Sequence, residues 1–188
     1  GYLACCSGNL EISADIDPAK TDSNFGDKQH GSVTYTGNAT TGQAITGMGF
    51  QPDLIIAKKR SSTQSNFVSD TSRGINKFTF TDTSASEQSG GGYATVYSSF
   101  DSDGFTLGTS GSGPNDNSAT YCAWGWRCNG GTTSSNSDGS ITSTVQVNQA
   151  AGFSIVQYTG VSSATTATVG HGLGKAPTFI IHKVLNST

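Results

Sequence analysis

Tyr121-Cys122-Ala123-Trp124-Gly125-Trp126-Arg127-Cys128 is the stretch on which the fold turns. Side chains of an extended strand alternate between two faces. Cys122, Trp124, Trp126 and Cys128 therefore share one face, and Tyr121, Ala123, Gly125 and Arg127 the other. Cysteine is among the most buried residue types, and a tryptophan buries roughly 150–250 Å². The Cys/Trp face is expected to anchor a sheet-on-sheet core, with Trp124 and Trp126 inside. An indole platform for a sugar ring is the second reading of the same pair.

Strand signals recur on both sides of this stretch, between turns rich in Gly, Asn and Asp. Strands are expected near 32–36, 43–46, 53–59, 65–70, 76–81, 93–99, 104–108, 119–128, 141–148, 153–159, 166–169 and 178–184. Leu54-Ile55-Ile56-Ala57 is apolar on both faces, as a central strand would be, so Leu54 and Ile56 are expected in the core with Phe50 and Phe105. No long window carries apolar residues at helical spacing. The expectation is an all-β, antiparallel β-sandwich of jelly-roll or concanavalin-like form.

A segment also occurs twice. Tyr35-Thr36-Gly37 leads to Gly47-Met48-Gly49-Phe50 and then Pro52-Asp53-Leu54-Ile55-Ile56-Ala57-Lys58. Tyr158-Thr159-Gly160 leads to Gly170-His171-Gly172-Leu173 and then Pro177-Thr178-Phe179-Ile180-Ile181-His182-Lys183. The offset, 123 residues at the tyrosine (35 to 158) and 125 at the proline (52 to 177), is that of a domain rather than a solenoid rung. Residues 1–31 then read as a lead-in, with a helical turn at Asp15–Lys20 and a polar linker from Asn24. Residues 32–152 read as a complete module. Residues 153–188 read as a second, truncated copy, or as strands that complete the first.

Composition narrows the function. Hydrophobic residues make up only 33% and glycine supplies 25 positions, yet the net charge of −3 and 12% charged residues do not fit disorder. With Lys58-Lys59-Arg60 the only basic cluster, and that at a strand end, nucleic acid is not an expected partner. No apolar run approaches the roughly 18 residues of a membrane helix, so no membrane insertion is expected. Cys5, Cys6, Cys122 and Cys128 fit neither a disulfide scaffold nor zinc-ligand spacing, and Cys122 and Cys128 lie too far apart along a strand to bond each other. Free buried thiols are the preferred reading, and no metal or other cofactor is expected.

The remaining motifs read as structural. Asp101-Ser102-Asp103-Gly104 has the opening of a calcium loop but lacks its distal acid, and a hairpin turn between Phe100 and Phe105 explains it. Asp70 and Arg73 are placed to pair across a turn. His30, His171 and His182 have no matching catalytic partners, and the last two fall at positions held by Met48 and Ala57 in the first copy. No nucleophile elbow, phosphate loop or zinc-protease motif occurs, so no catalytic residue is assigned.

Several segments in order carry a resemblance: Tyr35 to Ile55, Asp70-Thr71-Ser72-Arg73-Gly74, Ser99 to Gly108, Tyr121 to Trp126, and Gly130 to Thr142. Together they resemble a module repeated in tail-fibre and other virion proteins of tailed bacteriophages, although members often have Ala-Trp-Cys-Trp where this chain has Ala123-Trp124-Gly125-Trp126. The resemblance covers the chain from about Ser32 onward. It implies a virion, extracellular location and a homo-oligomer such as a trimer, in contact with other virion proteins and host-surface glycans. It supplies no catalytic residues. The alternative expectation is a carbohydrate-binding module of a secreted glycan-degrading enzyme.

Overall fold

A computed structural model of the chain describes residues 26–89, 95–108, 113–162 and 166–186. Cys5, Cys6, the turn expected at Asp15–Lys20 and the Gly90-Gly91-Gly92 connection lie outside the described residues. The described chain is all-β, with antiparallel strand pairing and one short 3-10 turn at Gly26–Lys28.

Six strands form the large sheet, in the spatial order β1 (His30–Thr36), β9 (Thr120–Trp126), β3 (Leu54–Lys59), β4 (Phe67–Asp70), β5 (Lys77–Phe80) and β6 (Gln88–Ser89). A three-stranded sheet of β2 (Ala44–Thr46), β8 (Gly104–Leu107) and β7 (Tyr97–Asp101) packs against one face of it. Ile45, Tyr97, Phe105 and Leu107 of the small sheet meet Ile55, Ala57, Phe67, Phe78 and Ala123 of the large one. These two layers are the sandwich. A third sheet, β10 (Ser134–Asn136), β11 (Ser143–Asn148) and β12 (Phe153–Tyr158), adjoins the end where β9 leaves the large sheet.

Aromatic geometry fixes the core. Phe105 meets Tyr97 edge-on at 5.5 Å and Tyr35 at 6.1 Å, while Phe67, Phe78 and Phe80 form a second cluster at 5.2–5.6 Å. The Asp101–Gly104 hairpin sets Phe100 opposite Phe105. Gly104 is required there, because a Cβ would sit 2.1 Å from the Ile45 carbonyl across the β2–β8 pair.

The strand alternation of β9 is as the sequence reads, but the buried face is the opposite one. Tyr121 and Ala123 are fully enclosed, whereas Trp124 is 36% exposed and Cys122 and Trp126 are half-buried on the outer face. The reason is space. Met48 and Pro52 lie over Gly125 so closely that a Cβ would fall 2.4 Å from Met48 Sδ, and Ala123 faces Ala57 across the pair. Small residues on that face admit the opposing layer, and indoles would not fit. The same parity turns Leu54 and Ile56 outward, half-buried, while Ile55 and Ala57 face the core. Phe50 and Phe105 are both buried.

The second repeat copy adopts different surroundings from the first. Tyr35 lies within β1 and Tyr158 ends β12, which pairs with β11 in a hairpin whose turn contains Gly152. The strand expected at 166–169 is a single parallel bridge, Val169 to Ile141. Residues 178–184 are not a strand: their counterpart β3 sits between β9 and β4, but here the backbone pairs with no described strand. The expected linker also ends early, since His30 and Gly31 already pair with Trp126 and Gly125.

Candidate functional site

Two features converge where β9 leaves the large sheet: a buried polar hub, and the outer face bearing Trp124. The hub begins at Asp53, placed by Pro52 at the entry to β3 and fully buried. Its Oδ2 accepts from the backbone N–H groups of Cys128 (2.6 Å) and Gly130 (3.1 Å). Its Oδ1 accepts from Gly131 N (3.0 Å) and the Thr71 hydroxyl (2.7 Å). Successive N–H groups curling around an anion form a nest, and here the anion belongs to the protein itself.

Gln146 of β11, also fully buried, completes the hub. Its Oε1 accepts from Asn129 N and Gly131 N at 2.9 Å, and its Nε2 donates to Thr71 Oγ1 (2.9 Å) and Ser72 Oγ (2.7 Å). The hub thereby joins four segments of the chain: the entry to β3, the turn after β4, the loop after β9, and β11. Cys128 closes it, with Sγ 3.1 Å from the Gln146 carbonyl. Burial, with the nearby Asp53 charge second, pushes its thiol up to about 12, so it stays protonated at neutral pH. Cys122 and Cys128 are both free.

Beside the hub, Asp70 accepts from Arg73 Nε at 2.5 Å and from Arg73 N at 2.8 Å, so the pair expected across this turn forms. Arg73 continues to Glu87 (3.0 Å), and Glu87 to Lys77 (2.8 Å). In the basic cluster, Lys59 pairs with Asp116 at 2.7 Å and Lys58 donates to the Gln64 carbonyl, so neither is a bare strand-end charge. Asp103 accepts from Gly49 N (2.7 Å) and Gly47 N (3.0 Å) and clamps the first Gly-x-Gly turn. Those bonds, Gly49's first, hold its carboxyl below the usual carboxylate value. Asp101 accepts from Thr106 Oγ1, which leaves the Asp-x-Asp-Gly turn serving the hairpin.

The outer face is built by cross-strand register. Ser32, Trp124, Ile56 and Val68 lie in one row across β1, β9, β3 and β4, with Thr34, Cys122 and Lys58 in the next. Trp124 stands out of this row, with half-buried Ile56 beside it. Trp126, one row nearer the end, is occupied: it stacks on Phe153 of β12 at 6.5 Å and meets His30 at 4.9 Å. At the sheet end, two open polar clefts of about 320 and 300 Å³ share Arg127, Cys128 and Asn129.

The three histidines are not brought together: His30 lies on Trp126, His171 Nδ1 accepts from Leu173 N, and His182 Nε2 lies 2.9 Å from Tyr158 Oη. No group of three or more His, Cys, Asp or Glu side chains is arranged for a metal ion among the described residues. A model of one family, a domain of unknown function designated DUF7483, matches residues 26–188. The chain belongs to the DUF7483 family. No curated protein and no solved structure matches it. The DUF7483 match takes in the sandwich, the hub and the third sheet alike.

Sequence reasoning missed Asp53 and Gln146, because the hub's partners are far apart in the chain. The one signal was an acid directly after Pro52 at the head of the apolar strand expected at 53–59.

Proposed function

We propose that this DUF7483 chain is a non-enzymatic structural and adhesive module of a tailed-bacteriophage fibre or related virion appendage, and that it touches host-surface glycans through the outer face of its large sheet. The observation that carries the adhesive part is Trp124, a large aromatic left 36% exposed on a rigid central strand. An indole held on a strand is preorganised to stack on a sugar ring at small entropic cost. Ser32, Thr34 and Lys58 around it offer hydroxyl and ammonium groups for hydrogen bonds. The acids favour scaffolding over acid–base chemistry, since buried Asp53 and Asp70 and exposed Asp103 each accept bonds that hold loops. The phage assignment rests on the resemblance of the ordered segments described above.

Isothermal titration against bacterial surface polysaccharides, after a glycan-array screen, tests the adhesive reading. The Trp124→Ala variant should lose roughly tenfold in affinity, about 1.4 kcal/mol, and ligand should perturb indole fluorescence in the parent. A glycan that binds both proteins equally, or a chain that binds none, removes Trp124 from this role.

A further inference from the structure

Phe179, Ile180, Ile181 and Val184 are exposed by 79%, 72%, 65% and 59%, an apolar density found nowhere else on the described surface. The internal repeat makes this run the counterpart of Leu54-Ile55-Ile56, which in β3 is enclosed between β9 and β4. The chain therefore shows what covers this sequence where it is covered: neighbouring strands of the same kind of module. In residues 178–184 the backbone joins no strand ladder among the described residues. The run is held at its C-terminal end, by Tyr158 Oη to His182 Nε2, by Lys183 Nζ to the Thr83 carbonyl, and by Glu87 N to the Leu185 carbonyl.

Those anchors place it beside β6, at one edge of the large sheet. The opposite edge is β1, whose seven residues pair with β9 on one side and with no described strand on the other. Val33 and Tyr35, on the core side of β1, are only half-buried, so an added strand would extend the core over them. The other open edges are shorter (β2, β7 and β10), or, in β12, already engaged through Tyr158. Five interstrand spacings of about 4.8 Å separate β1 from β6, roughly 24 Å, so the run anchored beside β6 does not lie against its own β1. Open edges are the usual route by which one chain adds a strand to another.

We infer that residues 178–184 of one copy add as an edge strand to β1 of a second copy. Donor and acceptor lie at opposite edges of one sheet, so the contact is heterologous and propagates from copy to copy. One seven-residue strand is a small contact beside the ~1,200 Å² of a stable pair, so each contact is weak and gains strength by repetition. The contact needs no glycan, and its failure leaves the adhesive reading untouched.

The test is mass against concentration by light scattering and sedimentation on the full chain. The donor-blocked variant is Phe179→Asp with Ile181→Asp; both positions are exposed, so the fold tolerates it. For the acceptor, Val33→Pro and Thr34→Pro are made separately. Consecutive N–H groups point to opposite sides of a strand, and the variant that spares the β9 pairing keeps the fold by circular dichroism. The parent should self-associate as concentration rises, and each blocked variant alone should lose at least tenfold in association. Mixed, the two should form a one-to-one pair that grows no further, since one intact donor then meets one intact acceptor. A parent of constant mass up to its solubility limit overturns the inference. So does a donor-blocked variant that associates like the parent, or an acceptor-blocked variant that still associates on its own.

Discussion

Replacing Asp53 by Asn tests the buried hub directly. The carboxylate accepts four hydrogen bonds, three from backbone N–H groups of the loop after β9 and one from Thr71. Asparagine keeps one acceptor oxygen and turns an NH2 group toward two of the four donors, so either Cys128 N and Gly130 N lose their acceptor or Gly131 N and Thr71 fall back on Gln146. Each such loss costs about 1–3 kcal/mol, and loss of the charge weakens the bonds that remain. The expected destabilisation is about 3–5 kcal/mol, in the exceptional range for a single substitution. In urea the midpoint should fall without a change of slope. At roughly 2–4 °C per kcal/mol for a chain of this size, melting should drop by on the order of 6–20 °C. Thr71→Val, which removes one hydroxyl that donates to Asp53 and accepts from Gln146 but leaves the N–H groups in place, should cost about 1–2 kcal/mol. Because Gly131 N and Thr71 bond to both Asp53 and Gln146, Asp53→Asn and Gln146→Leu should combine to less than their sum. A loss below about 1 kcal/mol for Asp53→Asn, or strict additivity with Gln146→Leu, would refute the reasoning, since neither is compatible with one shared network.

Three further outcomes follow from the same geometry. Trp124→Ala should cost no more than about 1 kcal/mol in urea unfolding because the indole is partly solvated, whereas Phe105→Ala should cost about 3–5 kcal/mol from the sealed core; the reverse order would restore the tryptophans to the interior. For Asp103 the folded pKa lies below the unfolded one, so its bonds to Gly47 and Gly49 contribute fully above the ordinary carboxylate value and are lost as pH falls through the folded value; amide exchange at Gly49 should quicken only in that acid window, and in Asp103→Asn at every pH. Iodoacetamide at neutral pH, followed by peptide mapping, should modify Cys122 and spare Cys128, whose thiol is buried and raised to about 12; equal labelling of the two would show the hub to be open.

What was legible from residue order alone was local. Alternating apolar and polar positions, broken by Gly and Asn/Asp turns, specify strands because side chains on extended backbone repeat every two residues. The Asp101–Gly104 hairpin and the Asp70–Arg73 pair were readable for the same reason: their partners are a few residues apart. Two short strands, β6 and β10, escaped because two or three polar residues carry no alternation to read.

Which face of β9 lies inside was decided only by tertiary structure. Period-two alternation divides a strand into two faces but assigns neither to the core. That choice depends on which side the second sheet approaches, and Ala57, Ala123 and Gly125 leave the space into which Met48 and the Phe105 layer fit. The Asp53 hub likewise exists only when residues 75 and more positions apart meet, a juxtaposition no local pattern encodes. The repeated segment shows the limit most plainly: nearly the same apolar run is half-buried to buried in a central strand at 54–56 and exposed outside any strand at 179–181, because burial belongs to the neighbours that a segment finds.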